Sequence, residues 1–285
     1  VIRVMLVALL AITLTGCSAG PRAPATEPET ASLVVLGDSL SGVPARACPG
    51  CTAYPELYAE WLGTSVGVEV ELHADAVDGA QLADVAAAVT RPEVVADLAG
   101  ADVVLVWVGN NDGPPYNPAT PCGPVPGDSA KAQAMGVEGY DASCIEATMR
   151  LYGRRYAGLF EAVHDLSPDA SARFALATYD NWRDNPAFVG DAFPPERLQA
   201  INDLVVPIYD AWNATQCASA EANGFACIDT YHLINGMDGR EPVTSSVGPD
   251  FTHLSQAGHE AVAHLLESVE VSLGWGDRKS RNCAV

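Results

Sequence analysis

The sequence predicts a doubly wound α/β domain, a parallel five-stranded sheet with helices on both faces in a flavodoxin-like arrangement. Three observations carry that expectation. Apolar runs of strand length alternate with helical patterns along the chain. Several runs are almost continuous in Val, Leu and Ile, as strands covered on both faces are. A chain of 285 residues, 48% of them hydrophobic, is long enough for one large domain with a well-buried core. There is no internal repeat and no sign of a second domain.

In chain order, strands are expected over 32–37, 68–74, 102–108, 173–179 and 224–229. Helices are expected over 53–62, 81–98, 141–166, 195–222 and 255–273. The first strand, Leu33-Val34-Val35-Leu36, stops at Gly37-Asp38 and delivers Ser39 where the chain must turn. The second, Val68 to Leu72, alternates apolar and acidic residues, and the third, Val103 to Val108, is apolar throughout. The helix over 141–166 has the clearest periodicity: Ile145, Met149, Tyr152, Tyr156, Leu159 and Val163 fall on one face, a core stripe rather than a cofactor site. Ser255 is a good N-cap for the last helix, which repeats apolar positions at Ala261, Val262, Leu265, Leu266 and Val269.

The ends read differently from the middle. Residues 1–16 combine Arg3 with an apolar run too short to span a bilayer, and Leu14-Thr15-Gly16-Cys17 resembles a bacterial lipobox. The expected organisation is therefore a lipoprotein signal peptide over 1–16, a flexible Pro-rich tether over 17–31, one folded domain over 32–274 and a C-terminal tail over 275–285. Lipid on Cys17 would hold the protein to the membrane on the extracytoplasmic face; cleavage without lipidation would release it as a secreted protein. The net charge of −21, from 15 basic and 36 acidic side chains, argues against nucleic acid as a partner. A monomer acting on a small substrate is expected.

Cysteine usage agrees with an oxidising compartment. Apart from Cys17 there are Cys48, Cys51, Cys122, Cys144, Cys217, Cys227 and Cys283. Sequential pairing, 48 with 51, 122 with 144 and 217 with 227, leaves Cys283 alone. Cys48-Pro49-Gly50-Cys51 has no second Cys-x-x-Cys to make a zinc site, and the six His residues are scattered, so no metal and no cofactor is expected.

Four short segments carry chemistry. Gly37-Asp38-Ser39-Leu40 follows the first strand. Gly79 stands in Asp75-Ala76-Val77-Asp78-Gly79-Ala80, Gly109-Asn110-Asn111-Asp112 ends the third strand, and Asp250-Phe251-Thr252-His253 precedes the last helix. In that order they resemble the four blocks of the SGNH hydrolases, the GDSL lipase/esterase family, over residues 31–273. Two positions depart from the family pattern: Ala74 and Asp75 stand where an Asn often precedes the glycine, and Leu254 where Pro often follows the histidine.

The resemblance implies an SGNH hydrolase fold and a serine esterase. Acyl transfer needs a nucleophile, a base, a group that orients the base and donors for the oxyanion. Ser39 would be the nucleophile, His253 the base and Asp250 its orienting carboxylate. The N–H groups of Ser39 and Gly79 and the side chain of Asn111 would be the donors. The substrate would be a carboxylic ester, on a small molecule, an acylated glycan or a lipid. Two other readings stand beside it: a lipase or (lyso)phospholipase of the same family, and a non-catalytic lipoprotein that binds glycan or lipid.

Two decoys share parts of these patterns. Gly63-Thr64-Ser65-Val66-Gly67 fits Gly-x-Ser-x-Gly, but a helix precedes it and a strand follows, the reverse of a nucleophile elbow. Ser65 is therefore expected in a plain turn. Asp229-Thr230-Tyr231-His232 repeats Asp-x-x-His but lacks the helix-start sequence that follows His253. Substrate selection is assigned to two long segments: 113–140, holding Tyr116 and Cys122 and a candidate lid, and 180–197, with Asn181, Trp182, Phe188 and Phe193.

Overall fold

Five parallel strands, β1 (Thr30–Gly37), β2 (Glu69–Ala74), β3 (Val103–Trp107), β4 (Ala172–Leu176) and β5 (Ala226–Ile228), form one sheet in the order β2-β1-β3-β4-β5. The computed structural model describes residues 30–42, 47–112, 121–122, 140–181, 195–243, 245–269 and 271. The chain moves from β1 outward to β2, then returns across β1 to lay down β3, β4 and β5. The crevice between the ends of β1 and β3 is thus the topological switch point, where open α/β sheets bind ligands.

The helices are α1 (Ser39–Gly42), α2 (Tyr54–Val66), α3 (Leu82–Ala88), α4 (Pro92–Gly100), α5 (Ala142–Leu166), α6 (Pro195–Ala222), α7 (Thr230–Asn235) and α8 (Gln256–Glu267). Alternate residues of β1 enter opposite cores. Leu33 and Val35 pack with Tyr54 and Tyr58 of α2 and Val262 and Leu266 of α8. Val34 and Leu36 pack with Leu82 and Val85 of α3, Leu98 of α4 and Tyr156 of α5. The continuous apolar pattern of β1 and β3 is the consequence of this double burial.

Several elements differ from expectation, each for a local reason. The helix expected over 81–98 is two helices, because Pro92 has no N–H to continue α3 and instead begins α4. Helix α2 runs on to Val66, so Ser65 lies in its last turn rather than in a plain turn; Gly67 ends it in the left-handed conformation. Strand β4 stops at Leu176 because the side-chain amide of Asn213 takes over the N–H and C=O of Thr178 at 2.9 and 2.8 Å. Asp229 caps α7 by accepting the His232 N–H at 3.0 Å, so the second Asp-x-x-His does begin a helix. Helix α8 ends at Glu267, and β1 takes in Thr30 and Ala31 from the expected tether.

Cys48–Cys51, Cys122–Cys144 and Cys217–Cys227 are disulfide-bonded, as sequential pairing requires. Such bonds are compatible with an exported protein. No helix among the described residues is long and apolar enough to cross a membrane. Residues 1–29, with the expected leader and Cys17, and 272–285, with Cys283, lie outside the described residues. So do Tyr116, Trp182, Phe188 and Phe193.

Candidate active site

Strand β1 ends against its neighbour so tightly that only glycine fits. A Cβ on Gly37 would lie 2.0 Å from the Trp107 carbonyl oxygen, and its φ of 148° disfavours side chains. Asp38 then donates its N–H to Trp107 O at 3.0 Å, and its Oδ1 accepts the Leu40 N–H at 3.0 Å. This caps α1 at its second N–H and leaves the first, that of Ser39, without a backbone partner among the described residues. The serine is half-buried, at the switch point, on the first residue of a helix.

The second segment hangs on the end of β1. Asp75 N–H reaches Val35 O at 2.9 Å and Val77 N–H reaches Gly37 O at 3.0 Å. Gly79 follows, exposed, with φ 73° and open space where a Cβ would lie, so glycine is there for backbone conformation rather than for room. Its N–H also has no backbone partner among the described residues.

The third segment locks onto both. The Asn111 side-chain amide donates to Ala80 O at 3.0 Å and, at the long limit of 3.5 Å, to Asp38 Oδ2. Gln81 Nε2 donates back to Asn111 O at 3.0 Å, and Leu82 N–H donates to Asp112 Oδ2 at 2.7 Å. Ser39, Gly79 and Asn111 are therefore brought to one end of the sheet by hydrogen bonds between their own segments.

Two buried carboxyls lie beneath. Asp38 is 0% and Asp112 1% exposed. Burial pushes Asp38 up to about 7, aided by the charge of Asp112 and opposed by the N–H groups of Leu40, Gly109 and Asn110. Burial likewise pushes Asp112 up to about 6, against the Leu82 N–H, Arg155 and Tyr152.

Asp250 and His253 form a closed turn. The ring Nδ1 lies 2.7 Å from Asp250 Oδ2, while Oδ1 accepts the N–H groups of Thr252 and His253, both at 3.0 Å. Burial works against ionisation of Asp250, but these hydrogen bonds prevail and hold it below its ordinary value. Gly248 N–H closes the turn on His253 O at 2.7 Å, and Phe251 is forced to φ 54° between acid and histidine, a strained conformation for a bulky residue. Tyr179, at the end of β4, donates its O–H to Thr252 O at 2.6 Å. Burial raises that phenol well above its usual value, and the charges of Asp38 and Asp250 raise it further, so it stands between the neighbour of the serine and the partner of the histidine.

The other pair repeats this geometry elsewhere. His232 Nδ1 lies 2.7 Å from Asp229 Oδ2, but the pair follows β5, three strands from β1. At about 4.8 Å per strand that is about 14 Å from the serine, beyond hydrogen-bond reach. The sequence reading assigned no role to Asp38, Asp112, Gln81 or Tyr179. Asp38 and Asp112 lie inside the motifs and could have been singled out; nothing in the spacing marks Gln81 or Tyr179. Among the described residues no group of three or more His, Cys, Asp or Glu is placed to hold a metal.

The arrangement offers a hydroxyl, a carboxylate-oriented imidazole and three N–H donors. A family model described as GDSL-like lipase/acylhydrolase matches residues 35–261. Among solved structures, a lipase from a goat rumen metagenome superposes with TM-score 0.60 at 18% identity, covering 87% of this chain and 99% of that one. An extracellular lipase from Streptomyces rimosus gives 0.56 at 19%, covering 84% and 100%. An acetyl xylan esterase from Geobacillus stearothermophilus gives 0.50 at 17%, covering 83% and 92%. At these identities the structures share the fold. No curated protein sequence matches the chain.

Proposed function

This chain belongs to the GDSL-like lipase/acylhydrolase family and is a serine hydrolase of ester bonds, and we propose that it works through Ser39, His253 and Asp250. Ser39 Oγ attacks the ester carbonyl as His253 Nε2 takes its proton. The tetrahedral oxyanion is received by the N–H groups of Ser39 and Gly79 and by Asn111, which exchanges its long contact to Asp38 for the new charge. Collapse expels the alcohol, protonated by His253, and water repeats the sequence on the acyl-enzyme.

The observation that carries this reading is the Asp250–His253 turn. Its 2.7 Å bond fixes the proton on Nδ1 and keeps Nε2 as the acceptor, and Tyr179 ties the turn to the strand ends near Asp38. The experiment is labelling with a fluorophosphonate, alongside turnover of p-nitrophenyl acetate. Wild type is expected to do both and Ser39→Ala neither; labelling that persists in the variant would overturn the assignment. We further propose that the enzyme is exported and held by lipid on Cys17, a reading supported by the lipobox-like sequence and the three disulfides.

A further inference from the structure

A groove of about 470 Å³ opens beside Gly79, between the loop that carries it and one face of α3. Asp84, Ala87 and Ala88 line it from α3 at helical spacing, Arg91 lines it from the turn beyond that helix, and the loop contributes Val77 and Gly79. The small side chains of Ala87 and Ala88 keep the helix side shallow, and Val77 stands 45% exposed on the loop side. Of the residues assigned above to ester cleavage, Gly79 alone borders this space.

We propose that the groove holds the acyl chain of the substrate, a neutral chain of medium length; this rests on the reading of Ser39, Gly79 and Asn111 given above. The leaving alcohol must face the base that protonates it. His253 belongs to the flank of α2 and α8: Leu254 and Val247 beside it enter that core, and Thr52 N–H reaches Gln256 Oε1 at 2.9 Å. The groove lies on the opposite flank, where Ala80 and Val85 enter the other core. With the carbonyl oxygen at the Gly79 N–H and the alcohol toward His253, the remaining substituent of the carbonyl carbon, the acyl chain, departs on the α3 side.

Length and charge narrow the occupant. From Asp84 to Ala88 the helix advances about 6 Å, and the turn of residues 89–91 carries the wall on to Arg91, room for a chain of medium length. Asp75, Asp78 and Asp84 line the groove against the single cation Arg91, so an acyl chain ending in a carboxylate is repelled. Asp75 Oδ2 is buried without a hydrogen-bond partner, which adds to the cost of bringing in another anion.

The test is a chain-length series of p-nitrophenyl esters. In wild type, kcat/KM is expected to rise from acetate to octanoate, by up to about fourfold per buried methylene, and to fall at palmitate. Ala88→Trp, which blocks the groove about 6 Å along α3 from Asp84, is expected to lower octanoate turnover at least tenfold and to leave acetate within twofold. The p-nitrophenyl monoester of adipic acid should be cleaved at least tenfold more slowly than the hexanoate. An unchanged chain-length profile in Ala88→Trp, or equal turnover of the adipate and hexanoate esters, would overturn the groove. Should that variant not fold, Ala87→Phe at an exposed position on the same face carries the same test. Failure of wild type to turn over acetate through Ser39 would instead overturn the reading of the site.

Discussion

Asp38 sits one residue before Ser39 with its carboxyl wholly buried, and its hydrogen bonds tie together the segments around it. One oxygen caps α1 and the other faces the Asn111 amide. Its folded value of about 7 lies above the ordinary 3.8, so the fold favours the neutral form. That contribution to stability is complete below about pH 4 and is lost as pH rises through about 7. Asp38→Asn, which cannot ionise, is expected to lose less Tm than wild type between pH 5 and 8; parallel curves would acquit Asp38. Asn111→Ala should lower kcat by roughly 10²–10³, the effect of removing one oxyanion donor. A loss of under tenfold in single-turnover kinetics would mean that the two backbone N–H groups suffice. The family was legible because Ser39, Gly79, Asn111, Asp250 and His253 stand in short segments whose order along the chain carries meaning. The residues that hold those segments together were not. Leu82 reaches Asp112 across 30 positions, Asn111 reaches Asp38 across 73 and Tyr179 reaches Thr252 across 73, and no local spacing encodes such distances.

At the scale of elements, α8 presses against the start of α2 through a histidine that is not part of the chemistry. His259 is buried, receives the Tyr54 N–H at 3.4 Å and lies over the Tyr54 ring. Burial, and then the nearby charge of His253, lowers it to about 4. The unfolded chain binds that proton from about pH 6.5, so stability present above pH 6.5 is lost as pH falls through about 4. The loss is up to about 3 kcal/mol. His259→Asn is expected to flatten the fall of Tm between pH 7 and 4; an undiminished fall would assign the acid limb to other groups. Helix boundaries show where element-level reading succeeds and where it stops. α6 spans the expected residues although Pro207 stands inside it, whereas the expected 81–98 helix ignored the break at Pro92, which begins a new helix. The ends of β4 and β5 were overextended because Asn213 and Asp229 take backbone hydrogen bonds through their side chains. An apolar pattern does not record that exchange.

For the whole molecule, strand order separates two similar Asp-x-x-His pairs. Both have a 2.7 Å contact to Nδ1, but Asp229 and His232 follow β5, three strands from the β1 end that leads to Ser39. Alternation of strands and helices along the sequence foretold the architecture, since strands buried on both faces need helices between them. Lipid attachment belongs to the same scale: fatty-acid labelling of the full chain in a bacterial host should disappear in Cys17→Ser, while esterase activity in detergent persists. Retained label in that variant would refute the anchor.

The order in which the parts are made has its own consequence. Ser39 follows β1 and Asn111 follows β3, but the turn that holds His253 comes only after β5 and α7. During synthesis, Ser39 and Asn111 therefore precede His253 by most of the domain. On the roles proposed above, a partly made chain would carry an unactivated hydroxyl, and hydrolysis would begin only once the last segment docks beside Tyr179. Completing the fold would then itself be the switch that turns the serine on.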